Sequence, residues 1–133
     1  MKVIQLEVGA LATNCYLLYC EQTLETAIID PGANADYILR TVSKENLVPV
    51  CIINTHGHAD HIGANADIKN AAKIPLMIHR DDSEMLTDQN KNMSVYIGKG
   101  FVSPPADKEL VDGDIIKVGT GDITVIHTPG HTK

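Results

Sequence analysis

The segment Thr55-His56-Gly57-His58-Ala59-Asp60-His61 decides how the rest of this chain is interpreted. Three imidazoles and a carboxylate so close together rarely serve packing, because each would need its own buried hydrogen-bonding partner. Side chains two residues apart share one side of an extended segment but point to nearly opposite sides of a helix. We therefore expect an extended segment that brings His56, His58 and Asp60 to one side, with His61 reaching them through a turn.

The flanking residues predict where this segment lies in the fold. Residues 50–53 have the composition of a buried strand, and residues 62–72 have the apolar spacing of a helix. The histidine-rich segment would then lie at the carboxyl end of a strand and at the entry to a helix, where sites of α/β proteins usually form. A helix N-terminus also favours an ionised Asp60 and a neutral, metal-binding His61.

Composition restricts the class of protein. A chain of 133 residues, 44% of them hydrophobic, predicts one domain, residues 1–133, with a packed core. A net charge of -6 argues against a nucleic-acid partner. No apolar run approaches the roughly 20 residues of a membrane span. Cys15, Cys20 and Cys51 form no Cys-x-x-Cys pair, which favours a reduced, cytoplasmic protein.

Hydrophobic periodicity and turn residues predict strands at both ends of the chain and strand–helix units between them. Strands are predicted at residues 4–8, 14–19, 26–29, 50–53, 75–78, 108–110, 115–118 and 123–126. Helices are predicted from the N-cap candidate Asn34 to about Lys44, over residues 62–72 and over residues 81–86. Residues 88–106 show no clear period and are expected to form a long loop, of the kind often placed over an active site.

Two histidine motifs, residues 56–61 and Thr128-Pro129-Gly130-His131-Thr132, resemble the metallo-β-lactamase superfamily and, within it, the small glyoxalase II-like (hydroxyacylglutathione hydrolase-like) hydrolases. Residues 29–32 and the turn at 112–114 fit the same group, so the resemblance covers essentially the whole chain. It implies a fold of the α+β or α/β class, the αβ/βα sandwich of two mixed sheets with helices outside. The family's bridging Asp and final His lie downstream of the second motif. We therefore expect this chain to be the N-terminal part only, with the C-terminal half of the sandwich truncated.

The resemblance also implies a ligand set. His56, His58 and His131 would hold a first metal ion and leave an open position, the arrangement of a catalytic zinc site. Asp60 and His61 would hold part of a second ion. One or two zinc ions are expected, with iron or manganese as alternatives. With only two ligands for the second ion, we expect weak binding biased toward the first site.

Two aspartates receive roles beside the metal. Asp60 would act as the catalytic residue by helping to orient the metal-bound hydroxide that attacks an acyl carbonyl. Asp30 would not bind the metal itself but would form a hydrogen bond with the segment that carries the ligands. A purely structural role for Asp30, capping the turn at Pro31-Gly32, is equally open.

Three functions are compatible with these residues. The first is metal-dependent hydrolysis of a small thioester or related acyl compound. The second is a redox enzyme on the same scaffold, such as a persulfide dioxygenase with mononuclear iron. The third is an inactive fragment or a subunit completed by a missing half. A half sandwich would expose apolar residues of its sheet near Ile116, Val118, Val125 and Ile126, which a homo-oligomer would cover.

The remaining candidates favour structural roles. His79 and His127 each follow directly after a predicted strand and are expected to be surface or hydrogen-bonded histidines. Asp81 and Asp82 are explained by the preference of helix N-termini for acidic residues. Cys51 is expected in the core.

Overall fold

The computed structural model describes residues 1–128. The predictions for His131 and for the rest of the second motif beyond Thr128 lie outside the described residues. None of the helices in residues 1–128 has the length and apolar character that a membrane crossing requires.

The helices and strands follow the predicted order. The strands are β1 (Lys2–Val8), β2 (Thr13–Tyr19), β3 (Glu25–Ile29), β4 (Val48–Asn54), β5 (Leu76–His79), β6 (Lys108–Leu110), β7 (Ile115–Val118) and β8 (Gly121–Thr124). The α-helices are α1 (Ala35–Lys44), α2 (Ala59–Ile62) and α3 (Asn65–Ala72), and two 3₁₀ helices span Arg80–Thr87 and Ser94–Tyr96.

The first six strands form one mixed sheet in the order β1-β2-β3-β4-β5-β6, and β7 pairs with β8 in a separate hairpin. Strand β2 is antiparallel to both of its neighbours, β1 and β3, whereas β3, β4, β5 and β6 run parallel to one another. The carboxyl ends of β3, β4 and β5 therefore meet at one edge of the sheet, the usual position of a binding site in such sheets. Asp30, Thr55 and Arg80 follow directly after these three ends.

The sheet is covered on both faces. Helices α1 and α3 pack on one face, where Ile38 and Ile68 are fully buried against Ile28 and Ile52. The hairpin β7–β8 packs on the other face in a second apolar cluster with Ala27, Cys51, Ile53, Leu110, Ile116 and Val118. Successive side chains of β3 and β4 therefore point into the two apolar clusters in turn, because neighbouring residues of a strand face opposite sides of the sheet.

The expectation that residues 115–126 expose an apolar face is wrong for two of its four residues. Ile116 is 6% exposed and Val118 is fully buried, because the hairpin lies against β3 and β4. Val125 is half-buried, and Ile126 is 74% exposed. Of these four side chains, Ile126 is therefore the one that stays largely exposed.

The single helix predicted over residues 62–72 is in fact two. Helix α2 ends at Ile62 and α3 begins at Asn65, because the turn at Pro31–Gly32 packs into the break between them. The Ala64 amide donates to the Pro31 carbonyl at 2.8 Å, and a Cβ at Gly63 would lie 2.2 Å from the Gly32 oxygen. The expected extended path through residue 60 is also wrong, since the chain is already helical from Ala59.

Helix α1 begins as predicted after the N-cap residue Asn34, but the side chain of that residue has another partner. Asn34 adopts the left-handed conformation (φ 57) and makes no side-chain bond to its own helix. Its Oδ1 accepts instead from the amide of Gly9 at 2.8 Å. This bond ties the turn between β1 and β2 to the start of α1.

Candidate metal centre

The four candidate ligands of residues 56–61 lie close together in the structure. The ring centroid of His56 is 5.0 Å from that of His58 and 4.0 Å from that of His61. Asp60 joins them through its Oδ2, which lies 3.3 Å from His61 Nε2. His58 is extended (φ -67, ψ 147) and serves as the N-cap residue of α2, so the chain turns into the helix directly after it. We call residues 55–61 the ligand loop.

Every second amide of the ligand loop donates a hydrogen bond within the described structure. The bonds run from Thr55 N to Asp30 Oδ1 (2.7 Å), from Gly57 N to Asp82 Oδ2 (3.1 Å), from Ala59 N to the Asn92 carbonyl (2.8 Å) and from His61 N to the His58 carbonyl (2.9 Å). The first three acceptors belong to other segments of the chain. The backbone between the candidate ligands is therefore held by the surrounding fold.

Asp30 is a buried carboxylate, 3% exposed, beneath the ligand loop. Besides the Thr55 amide it accepts from Thr55 Oγ1 at 2.5 Å, and its Oδ2 lies 3.0 Å from His61 Nδ1. With Nδ1 turned to Asp30, the other ring nitrogen of His61 is directed to Asp60. Asp30 adopts a left-handed conformation (φ 54), a strain that folds retain most often at functional sites.

The charge of His61 depends on the same contacts. Burial is the largest single influence and lowers its pKa, but the hydrogen bond to Asp30 and the charges of Asp30 and Asp60 together raise the pKa above its ordinary value. An imidazole held between two carboxylates is also a nitrogen donor suited to a divalent cation, because the cation can replace the proton.

Asp60 is fixed from two sides. Thr13 Oγ1 donates to Asp60 Oδ2 at 2.9 Å, and His61 Nε2 contacts the same oxygen. Thr13 is itself buried at the start of β2, so its hydroxyl is held in place by the sheet. Sequence patterns gave no signal for this contact, which joins residues 47 positions apart.

Asp82 is a second buried carboxylate that the sequence interpretation missed. It does lie in the first turn of the 3₁₀ helix, as an ordinary acidic residue would. However, it is only 3% exposed, and its Oδ2 accepts from the amide of Gly57, between His56 and His58. Its neighbour Asp81 is half-exposed, so the two acidic residues have different roles.

The loop over residues 88–106 is packed more tightly than its irregular sequence suggests. Asn92 and Ser94 are fully buried, and Asn92 Nδ2 donates to the Phe101 carbonyl at 3.1 Å while Asn92 Oδ1 accepts from the Ser94 amide at 2.9 Å. This polar centre presents the Asn92 carbonyl to the amide of Ala59. The loop therefore supports the ligand loop through its backbone.

His79, Asp81 and His127 form a second cluster, whose possible metal-binding atoms lie within 4.8 Å of one another. His79 and His127 line the same cavity as His56. His79 Nδ1 accepts a hydrogen bond from the Asp81 amide at 3.1 Å. With the lone pair of Nδ1 used in this bond, a neutral His79 carries its proton on Nε2. The rings of His79 and His127 are stacked, with centroids 3.8 Å apart and planes at 17°. His79 thus caps the 3₁₀ helix and stacks on His127, and the structural roles expected for both histidines stay predictions.

Two cavities flank the ligand loop. One of about 430 Å³ lies on the His56 side, and its apolar wall comes from both sheets: Ile29, Ile53, Leu110, Ile116, Ile123 and Val125. The other, of about 450 Å³, lies beside Asp60 and is bordered by Leu11, Ile97 and Phe101. Each places apolar surface beside polar groups, as small-molecule sites usually do.

The donor set fits a borderline metal ion. Imidazole nitrogens and a carboxylate oxygen are ligands that zinc, iron and manganese accept, and the nearby buried carboxylates complement a cation. The three cysteines of the chain are free and buried. The donor atoms of His56, His58, Asp60 and His61 themselves are nitrogen and oxygen atoms.

Comparison with known sequences gives the family. A family model described as Metallo-beta-lactamase superfamily matches residues 8–133. The chain is 38% identical over 126 residues to an uncharacterised protein of Aquifex aeolicus, covering 94% of this chain and 58% of that protein. It is 31% identical over 134 residues to the probable metallo-hydrolase YqgX of Bacillus subtilis (99% and 62% covered). It is also 31% identical over 127 residues to a hydroxyacylglutathione hydrolase of Rhodospirillum rubrum (95% and 43% covered).

Solved structures agree on the fold. The B3 metallo-beta-lactamase BLEG-1 superposes with a TM-score of 0.91 at 34% identity, over 98% of this chain and 63% of that one. TTHA1623, solved in a di-iron-bound form, gives a TM-score of 0.79 at 27% identity over 97% and 62%. The chain thus spans less than two thirds of the length of these relatives and corresponds to their N-terminal part, as the sequence predicted. It belongs to the metallo-beta-lactamase superfamily and has the fold of that family.

Proposed function

We propose that the protein to which this domain belongs is a metal-dependent hydrolase of a small thioester or related acyl compound. The observation that carries the proposal is the ligand loop itself, in which four donor side chains are gathered and their backbone is bonded to buried acceptors. The similarity to a hydroxyacylglutathione hydrolase supports the thioester class. Residues 1–133 would form one domain, and the cytoplasmic location and a homo-oligomer stay predictions.

The proposed ligands are those expected from the sequence. His56, His58 and His131 would hold a first ion, and Asp60 and His61 would contribute to a second. We propose one or two zinc ions, with iron or manganese as alternatives. When bound, such ions lower the pKa of water and polarise a carbonyl group.

The chain's own residues would supply position and charge. Asp60 is the proposed catalytic residue, because Thr13 and His61 hold its Oδ2 and so fix the carboxylate where the reacting water would be oriented. Asp30 keeps His61 in the orientation that turns Nε2 to the same place. The apolar walls of the flanking cavities would accept the acyl part of the substrate and exclude water.

The proposal is tested by assaying purified protein, metal-loaded and chelator-treated, with S-lactoylglutathione, simple acyl thioesters and a chromogenic β-lactam. We expect metal-dependent thioester cleavage, and Asp60→Asn should reduce it by roughly 100-fold or more. Asp122→Asn, at an exposed position of β8 that lines neither cavity, is the control and should keep the wild-type rate. Cleavage of the β-lactam alone, or no metal-dependent cleavage of any thioester, would refute the proposal.

Iron chemistry is the second candidate, favoured by one finding. TTHA1623 is similar over nearly this whole chain and was solved with two iron ions. A redox enzyme such as a persulfide dioxygenase would consume oxygen in the presence of glutathione persulfide and lose activity when zinc replaces iron. An oxygen electrode separates this function from hydrolysis, which consumes no oxygen.

A further inference from the structure

We infer that Asp82 is a positioning residue for the metal ligands His56 and His58, an inference that rests on the proposed metal-dependent function. Asp82 reaches the ligand loop at Gly57, the residue between these two histidines, where its Oδ2 accepts the amide hydrogen at 3.1 Å. The side chain is 3% exposed. Burying a carboxylate costs free energy unless bonds or nearby positive charge compensate, so its position beside a cation site calls for a reason.

The approach of Asp82 to Gly57 is fixed by packing. The 3₁₀ helix Arg80–Thr87 lies so close to the loop that a Cβ at Gly57 would be 2.6 Å from Met85 Cβ and 3.2 Å from the Asp82 carbonyl oxygen. Met85 is itself 8% exposed and cannot move away without opening the core. Glycine at position 57 therefore allows the close contact in which Asp82 holds the loop amide.

The consequence concerns both flanking histidines. The Gly57 amide is part of the peptide plane that follows His56, and the next peptide leads into His58, so fixing it restricts the directions of both side chains. Asp30 acts in the same way at Thr55 and at the His61 ring. Two buried carboxylates thus hold the ligand loop at different points, and both place negative charge near the proposed cations.

The test measures zinc affinity by competition with a chromophoric chelator and the visible absorption of the cobalt-substituted protein. We expect Asp82→Ala to weaken zinc binding by roughly 10- to 100-fold, the usual effect of removing a group that orients a ligand, and to change the cobalt spectrum. Asp82→Asn keeps an acceptor oxygen for the Gly57 amide but lacks the charge, and it should lose roughly fivefold to tenfold. Glu84→Gln, on the same 3₁₀ helix and half-exposed in an ion pair with Lys91, is the matched control and should bind zinc like the wild type.

The outcomes separate the two claims. If the wild type binds no zinc, iron or manganese, the proposed function itself fails. If the wild type binds metal and both Asp82 variants bind it within twofold with an unchanged cobalt spectrum, only the role of Asp82 is refuted. A lower melting temperature of the metal-free variants with unchanged affinity and spectrum also refutes it, because it indicates a structural role alone. Should Asp82→Ala fail to fold, the zinc affinity and cobalt spectrum of the nearly isosteric Asp82→Asn decide whether Asp82 positions the ligands.

Discussion

Gly32→Ala is the substitution for which the structure gives the sharpest prediction. A Cβ at position 32 would lie 1.7 Å from the carbonyl oxygen of Asp60 and 2.7 Å from its carbonyl carbon. Both are backbone atoms of α2, so no side-chain rotation relieves the collision. Restoring an ordinary contact of about 3.4 Å requires the turn and the helix to separate by about 1.7 Å, which moves Asp60 and His61 together.

Overpacking of this kind costs about 1–3 kcal/mol, which for a chain of this size corresponds to a fall in Tm of roughly 5–10 °C. Zinc affinity should fall as well, by roughly tenfold or more, because two ligands are displaced. The matched control is Gly98→Ala, where an added Cβ meets nothing within 4 Å. Thermal unfolding followed by circular dichroism, with and without zinc, measures both effects. A Gly32→Ala protein that melts within about 2 °C of the wild type and binds zinc equally would refute this reasoning.

Three further predictions follow from the site. Thr13→Val should lower thioester hydrolysis about tenfold, because Asp60 loses a charge-assisted hydrogen bond; an unchanged rate would contradict that role. Burial raises the pKa of Cys51 to about 11, so native protein at pH 8 should react with iodoacetamide at least ~100-fold more slowly at Cys51 than unfolded protein, as peptide mapping would show. The pKa of His61 is raised on folding, so its contribution to metal-free stability is complete below its unfolded pKa and is lost as pH rises through the folded pKa. Asp30→Asn should therefore flatten the decline in the free energy of unfolding as the pH rises above about 6.5, the ordinary pKa of histidine, in urea titrations. An undiminished slope would exclude this ion pair as its cause.

The strands were predictable because their alternation is local. The second strand, expected at residues 14–19, is Thr13–Tyr19, and the one expected at 115–118 is Ile115–Val118. Burial was harder to predict, since Ile116 and Val118 are covered by a sheet face formed far away in sequence. Periodicity likewise could not show the break at residues 63–64, because a contact with the turn at Pro31–Gly32 outweighs helix propensity there.

That His56, His58, Asp60 and His61 lie together was predictable from their closeness in sequence, whereas their supports were not. Asp82 reaches Gly57 only because β5 lies parallel to β4 and ends at the same edge of the sheet. Asn92 contacts the ligand loop through its backbone carbonyl, which accepts from the Ala59 amide. Every residue has such a carbonyl, so the sequence cannot show which one will accept this bond. Asp30 was proposed by resemblance, but its three contacts with Thr55 and His61 required the fold.

The bonded amides of the ligand loop have a thermodynamic consequence. Their acceptors on Asp30, Asp82 and Asn92 reach the loop only after the sheet has formed and the loop over residues 88–106 has packed. The conformational entropy of ordering the loop is thus lost during folding of the chain, before an ion arrives. More of the intrinsic attraction between ion and ligands then appears as measured affinity. Zinc and iron would both bind to a ligand loop whose backbone is already ordered. The choice between them would therefore depend on their coordination preferences and on their supply in the cell.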